Sequence, residues 1–313
     1  MTLDGLLEEI EKASVITIFR HENPDCDAVG SQSGLKNWIE ENWKDKHVYA
    51  CGNDACTQGI WPDQESVSDD VIRQSLAIVL DTANKERVDD RRFETAKKVI
   101  KIDHHPNREP FGDVMYVFDK AAATCEILAS FMKTCQSKNV SSKTASYLYK
   151  GLLTDTLNYT TSNTTANTLE AGAFLAGFDI DIPSIGHELW DRSEAEWKFD
   201  GWVRSHVQIY GDHIAWCRVT LEDLERWHLD AHEARMFVNA YANVHEFEIW
   251  AIFTETERNG EIVMDGSLRS RTVPVNTVAE KYHGGGHKNA CGVKNLNDES
   301  LANLLADLNE EIN

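Results

Sequence analysis

The chain has 313 residues, with 31 Lys and Arg against 52 Asp and Glu, a formal net charge of −21 at pH 7. Hydrophobic residues at 42% and charged residues at 27% give an ordinary globular balance, which excludes a disordered tail or a collagen-like repeat. Apolar runs such as 76–80 and 171–176 fall far short of the roughly 20 residues that cross a bilayer.

The length suffices for two domains that each bury a core. Segment 1–11 is acidic and lacks the basic start of a secretory signal, so a cytoplasmic protein without membrane contact is expected. Seven cysteines form no CxxC pair, which fits reduced thiols that pack as small apolar residues.

In chain order, Val15-Ile16-Thr17-Ile18-Phe19 is rich in β-branched residues and reads as a strand ending in a polar cluster. A helix follows over 28–41, with Leu35, Trp38 and Ile39 on one face. Runs 76–80, 99–102 and 113–118 read as further strands, and 123–134 and 142–153 as helices. This alternation predicts an α/β layer structure around a mostly parallel sheet. Another helix is expected over 167–177. The polar stretch 188–199, with Trp190 and Trp197, shows no turn chemistry and reads as a helical connector. Beyond it 214–219, 247–254 and 261–268 read as strands, with Asn259-Gly260 as a hairpin turn. The expected division is a larger domain 1–188, a connector 189–203 and a smaller α/β domain 204–313. The acidic stretch 222–233 reads as a solvated helical face.

Ionisable residues recur where the strands end. Arg20-His21-Glu22-Asn23-Pro24-Asp25-Cys26-Asp27 follows the first strand, Asp81 another, and Asp103-His104-His105 the next. Asp155 closes an apolar helix. In open α/β sheets the carboxyl ends of the strands form the binding crevice, so these residues can converge. Singly each has an ordinary explanation: Asp25 and Asp27 can cap a helix, and a His pair can lie on the surface. Together, without Lys or Arg beside them apart from Arg20, the carboxylates would repel one another unless cations lay between them. Carboxylate and imidazole donors without thiolate suit Mn²⁺ or Mg²⁺. Five acids and three histidines exceed the needs of one octahedral ion, which points to two ions sharing a carboxylate, roughly 3.5–4 Å apart as in phosphatases and nucleases.

His21-x-x-x-Asp25-x-Asp27, Asp81, Asp103-His104-His105 and Asp155, in this order, resemble the DHH phosphoesterases. Ser267-Leu268-Arg269-Ser270 and Gly284-Gly285-Gly286-His287 resemble the DHHA1 domain of the same family. The resemblance spans essentially the whole chain. It is greatest to the short-oligoribonucleotide (nanoRNA) and phosphoadenosine-phosphate phosphatases and to relatives that hydrolyse linear diadenylate, pApA. It implies a DHH catalytic domain, a DHHA1 substrate-binding domain and Mn²⁺-dependent hydrolysis, with Mg²⁺ or Co²⁺ as substitutes.

It also implies roles. His21, Asp25 and Asp81 would hold one ion, and Asp27, Asp81, His104 and Asp155 the other, with Asp81 as the bridge. Asp103 would orient a histidine, His105 would contact the scissile phosphate, and a metal-bridging hydroxide would be the nucleophile. Arg269, Ser270, Arg271, Gly284, Gly285, Gly286 and His287 would bind the far end of a short oligoribonucleotide or dinucleotide. Cys26, between two ligands, is a mild departure that reads as inert packing.

The charge supports that end of the chain. Residues 261–294 carry five Lys or Arg against three Asp or Glu, whereas 221–257 carry two against nine. Three glycines in a row let backbone N–H groups approach a phosphate, although a plain loop explains a lone triplet as well. A surface at −21 repels long nucleic acid but not small phosphorylated molecules near a cation cluster. The alternatives are an exopolyphosphatase or pyrophosphatase-like phosphohydrolase and a catalytically inactive nucleotide sensor. A homodimer stays open.

Overall fold

The computed structural model describes residues 3–56, 60–62 and 65–312, with the backbone alone for His287. The chain divides into two compact units between Asp191 and Arg192.

In the first unit, β1 (Val15–Phe19), β2 (His47–Ala50), β3 (Leu76–Leu80), β4 (Lys98–Asp103) and β5 (Val114–Val117) make one sheet in the order β2-β1-β3-β4-β5. All four pairings are parallel. Period-two alternation sends successive side chains to opposite faces. Leu76, Ile78 and Leu80 therefore enter one apolar cluster, and Ala77 and Val79 another. The larger cluster is covered by α1 (Leu6–Lys12), α2 (Cys26–Asn42), α4 (Thr124–Thr134), α5 (Ser142–Asp155), α6 (Ala166–Ala176) and α7 (Ile182–Trp190); the smaller holds Ile72 of α3 (Asp69–Gln74). Strand order reverses at β1, whose neighbours are β2 and β3. Ligand sites of doubly wound sheets open at the carboxyl ends of the strands at such a reversal.

The second unit has β6 (Gln208–Tyr210), β7 (Ile214–Val219), β8 (Ile249–Arg258), β9 (Glu261–Ser270), β10 (Gly285–His287) and β11 (Ala290–Leu296) in the order β10-β11-β9-β8-β7-β6. Only β7–β8 is parallel among these pairings. Ile249, Ala251 and Phe253 pack with α11 (Asn276–Glu280) and α12 (Asp298–Glu310). Trp250 and Ile252 face the other way, toward α8 (Glu194–Ser205), α9 (Leu221–Trp227) and α10 (Ala231–Arg235). Asn259 and Gly260 both have positive φ, 55° and 82°, as a tight two-residue hairpin requires.

Two segments differ from the sequence expectation. The stretch 189–203 is not one helix: α7 ends at Trp190 and α8 begins at Glu194. Ser193 caps α8 and Glu196 reaches back to its amide, a capping box whose Ser-x-x-Glu signature is present in the sequence. Phe199 and Val203 of α8 are fully buried in the second unit, so this helix is part of a core. The acidic stretch 222–233 is likewise two short helices, broken where His228 turns left-handed at φ 54°. No helix among the described residues is long and apolar enough to cross a membrane.

Candidate active site

Asp81 is the centre of the site. Its amide still donates to the Ile102 carbonyl at 3.0 Å, so the β3–β4 ladder runs one residue past Leu80. There the backbone turns to φ 52°, a left-handed conformation that costs a non-glycine residue free energy and is concentrated at functional sites. The turn sets a carboxylate only 1% exposed against three imidazoles. Oδ2 lies 3.5 Å from His21 Nε2, and Oδ1 lies 3.3 Å from His104 Nε2 and 3.6 Å from His105 Nδ1.

The loop after β1 delivers His21 and Asp25. Asp25 is the N-cap of α2: its Oδ1 accepts from the amides of Asp27 and Ala28, each at 3.0 Å. Its Oδ2 stands 3.8 Å from His21 Nε2, so capping and a place in the cluster coexist in one carboxylate. Asp27 in the first turn of α2 is fully buried and faces the N-terminus of α4, accepting from the Thr124 amide at 2.7 Å and the Cys125 amide at 2.9 Å. Those donors are unpaired within their own helix, and the helix dipole adds to their pull on an anion. Asp155 ends α5 with Oδ2 3.5 Å from His104 Nε2.

Close helix packing makes this approach feasible. A Cβ at Gly151 of α5 would lie 2.9 Å from Asp27 Cα and 3.0 Å from the Cys26 carbonyl. A Cβ at Gly30 of α2 would lie 2.7 Å from the Tyr147 carbonyl. The paired glycines let α5 cross α2 closely enough to set Asp155 beside Asp27.

The electrostatics of the cluster follow from burial and the opposed charges. Burial would lower the His21 imidazole, but Asp25 and Asp81 outweigh it and hold it protonated up to about 10. His104 likewise rises well above its usual range against the pull of burial, through Asp81, Asp27 and Asp155. Burial would raise Asp81, yet His104 and His21 hold its carboxyl well below the usual range. Burial and the Asp81 charge push Asp27 up to about 7, and burial with Asp27, Asp25 and Asp81 pushes Asp155 well above the usual range. Buried carboxylates that repel one another in this way form a setting that a cation relieves. Donor atoms of His21, Asp25 and Asp81 lie within 4.8 Å of one another, as do those of Asp27, His104 and Asp155, and of Asp81, His104 and His105. An all-oxygen and imidazole donor set with converging buried carboxylates fits divalent cations.

The structure adds residues that the sequence reading passed over. Thr124 Oγ1 donates to Asp81 Oδ1 at 3.1 Å. Asp103 Oδ1 holds His105 through its amide at 3.1 Å and Nδ1 at 2.8 Å, while its Oδ2 pairs at 3.1 Å with Lys101, both side chains fully buried. A lysine inside the apolar run 98–102 was the available signal, because a buried ammonium needs a partner. The helix N-terminus facing Asp27 left no signal, since its donors are backbone amides.

Arg20 supports the loop after β1. Fully buried, it pairs with Asp89 at 2.9 Å, donates to the Gln32 side chain and the His21 carbonyl at 3.2 Å each, and binds the Asp54 carbonyl. Removing one partner of a buried pair costs about 3–5 kcal/mol. Arg20→Ala is expected to lower stability by that order in chemical denaturation, and a loss below about 1 kcal/mol would contradict this role.

In the second unit Arg269 is half-buried and has no acidic partner among the described residues; burial lowers its pKa, and its guanidinium donates to the Leu268 carbonyl at 2.9 Å. Register aligns Arg269 with Ala290 and Ala290 with position 287, which puts them in one row across three strands. The His287 side chain lies outside the described residues. Gly284–Gly286 lead into and form an edge strand, not a free loop. A Cβ at Gly284 would meet the Gly292 carbonyl at 2.2 Å, whereas Gly285 has open space. Ser270 and Arg271 are tied to the fold: Ser270 Oγ donates to the Val273 carbonyl, and Arg271 donates to the carbonyls of Phe247, Ala242 and Val244.

This arrangement is that of a hydrolase of phosphoric esters. The chain belongs to the DHH family: the family's N-terminal domain matches residues 15–152 and the DHHA1 domain residues 217–313. It is 29% identical to the bifunctional oligoribonuclease and PAP phosphatase NrnA of Bacillus subtilis, over 97% of this chain and 96% of that protein. It is 33% identical to a probable bifunctional oligoribonuclease and PAP phosphatase NrnA of Streptococcus mutans, over 95% and 94%. An exopolyphosphatase-related protein from Bacteroides fragilis shares the fold at a TM-score of 0.86 and 24% identity, covering 98% of this chain and 95% of that one.

Proposed function

We propose that the protein is a Mn²⁺-dependent phosphodiesterase that releases mononucleotides from very short oligoribonucleotides, pApA among them, and also removes the 3′-phosphate of 3′-phosphoadenosine 5′-phosphate. The observation that carries this reading is the convergence of His21, Asp25, Asp27, His104, His105 and Asp155 on Asp81. Relatives named for oligoribonuclease and PAP phosphatase activities support the substrate class.

His21, Asp25 and Asp81 would hold one ion, and Asp27, Asp81, His104 and Asp155 the other, with Mg²⁺ or Co²⁺ as substitutes. When bound, the ions supply an activated water and offset charge on the phosphoryl oxygens. The chain's own groups do the positioning. The Thr124 and Cys125 amides and the Thr124 hydroxyl fix two of the carboxylates. His105, oriented by Asp103, donates to the phosphate as negative charge develops. Arg269 binds the phosphorylated end of the substrate away from the scissile bond.

Charge-assisted hydrogen bonds are worth about 1.5–3 kcal/mol, so Arg269→Ala is expected to raise KM for a 5′-phosphorylated diribonucleotide by about tenfold or more with kcat within roughly twofold. A fall in kcat at unchanged KM would remove Arg269 from substrate binding. The function is tested by a Mn²⁺ panel with product lengths resolved: pApA, longer oligoribonucleotides, phosphoadenosine phosphate, pyrophosphate and cyclic dinucleotide. Mononucleotide release from the shortest chains is expected. Preferred hydrolysis of pyrophosphate, or efficient opening of the cyclic ring, would overturn the reading.

A further inference from the structure

Cys26 is the first residue of α2, 3% exposed between Asp25 and Asp27, and its thiol is hydrogen-bonded to that of Cys56. Cys56 is half-buried in the loop after β2 and packs on the apolar cluster that contains Cys26. That loop is pinned beside the site. The Asn23 amide donates to Asp54 Oδ2 at 2.8 Å, and the amides of Asn53 and Asp54 donate to Asp89 Oδ2 at 2.7 and 2.9 Å. Asp89 in turn pairs with Arg20. The two sulfurs are thus held in contact by packed and hydrogen-bonded backbone on both sides.

The two thiols differ in access, and Cys26 is the buried one. Cys56 is the more exposed of the two and lies within electrostatic reach of the Arg20 guanidinium.

We propose that Cys26 and Cys56 are a redox pair whose disulfide switches off the adjacent metal-binding site. The effect on activity rests on the reading of that site given above; the disulfide itself does not. The Cys56 thiolate attacks an organic hydroperoxide, breaking the O–O bond to give the Cys56 sulfenic acid and, with a proton, the alcohol. The Cys26 sulfur then displaces that oxygen, an S–S bond forms, and the oxygen leaves as water with the Cys26 proton. Two thiols lose two electrons and two protons, and one hydroperoxide becomes an alcohol and water. A disulfide holds its Cβ atoms about 3.8 Å apart. Forming it draws in the residue between Asp25 and Asp27 and disturbs both carboxylates.

The test treats the Mn²⁺-loaded protein with equimolar cumene hydroperoxide, then blocks free thiols and maps peptides by mass. A Cys26–Cys56 cross-linked peptide, lighter by two hydrogens and cleaved by dithiothreitol, is expected. Hydrolysis should fall at least fivefold with the same dose dependence, with loss of bound Mn²⁺, and recover on reduction. Cys56→Ser is expected to keep its activity and metal under the same treatment. Oxidation of Cys56 to sulfinic acid without the cross-link would overturn the pairing. A cross-link that leaves both bound Mn²⁺ and turnover unchanged would overturn the switch. Should Cys56→Ser fail to fold, the wild-type peptide map and metal content decide. If untreated protein hydrolyses none of the proposed substrates, the functional reading fails, while the cross-link and Mn²⁺ retention still report on the pair.

Discussion

Asp81→Asn is expected to lower kcat/KM for short oligoribonucleotides by about 10³-fold or more while leaving the fold intact. The residue sits at φ 52°, and Asn is among the few side chains that tolerate the left-handed region. The exchange keeps the size and the turn and removes only the charge that faces His21, His104 and His105. Asp81→Ala should be as inactive but also less stable by about 1 kcal/mol, because alanine has no local hydrogen bond to offset that backbone conformation. Steady-state kinetics with a melting curve on each variant checks both statements. Activity of Asp81→Asn within tenfold of wild type would remove Asp81 from the centre of the site.

Gly151→Ala is expected to act through packing. The new methyl would stand 2.5 Å from Cys125 Sγ, 2.9 Å from Asp27 Cα and 3.0 Å from the Cys26 carbonyl, two of them backbone atoms that cannot swing away. Overpacking of this kind costs about 1–3 kcal/mol, or roughly 3–10 °C in Tm for a unit of this size. Pushing α5 off α2 also separates Asp155 from Asp27. Since a 1 Å misplacement can cost about a hundredfold, kcat should fall by about ten- to a hundredfold. Gly201→Ala in α8 is the control: no atom lies within 4 Å of its Cβ, and alanine is the better helix former by up to about 1 kcal/mol. Its Tm should stay level or rise. A Gly151→Ala protein as stable and active as wild type would show that the helices do not need this contact.

Much of the first unit was legible because it rests on short-range pattern. The strands 15–19 and 76–80 coincide with β1 and β3, since β-branched or continuous apolar runs bounded by polar residues have few other uses in an α/β chain. The polar residues were legible as a group because each follows such a run. The second unit was read less fully. β6 and β10 are three residues long and, like the four-residue β2 of the first unit, owe their existence to neighbouring strands, which sequence periodicity does not register. The break before α8 has a sequence signature, the capping box at Ser193 and Glu196, although the stretch 188–199 carries no Gly or Pro turn chemistry. α12 carries Leu301, Leu304, Leu305 and Leu308 at helical spacing behind an Asn297 cap, a pattern that was also available. Contacts made by backbone, such as the amides on Asp27 and the close crossing at Gly30 and Gly151, depend on tertiary packing and have no signature in a single chain.

The negative charge has a local as well as a global meaning. Part of the −21 belongs to a cluster in which burial and mutual repulsion raise Asp27 and Asp155, so the charge marks a place for cations as well as a deterrent to long polyanions. The most direct measurement is a titration of the metal-stripped protein with Mn²⁺, following bound metal per chain and mononucleotide release from pApA together. Activity that appears only as two ions bind, and vanishes on chelation, is the expected result. Release of mononucleotide by the metal-free protein, or full activity with no Mn²⁺ bound, would contradict it.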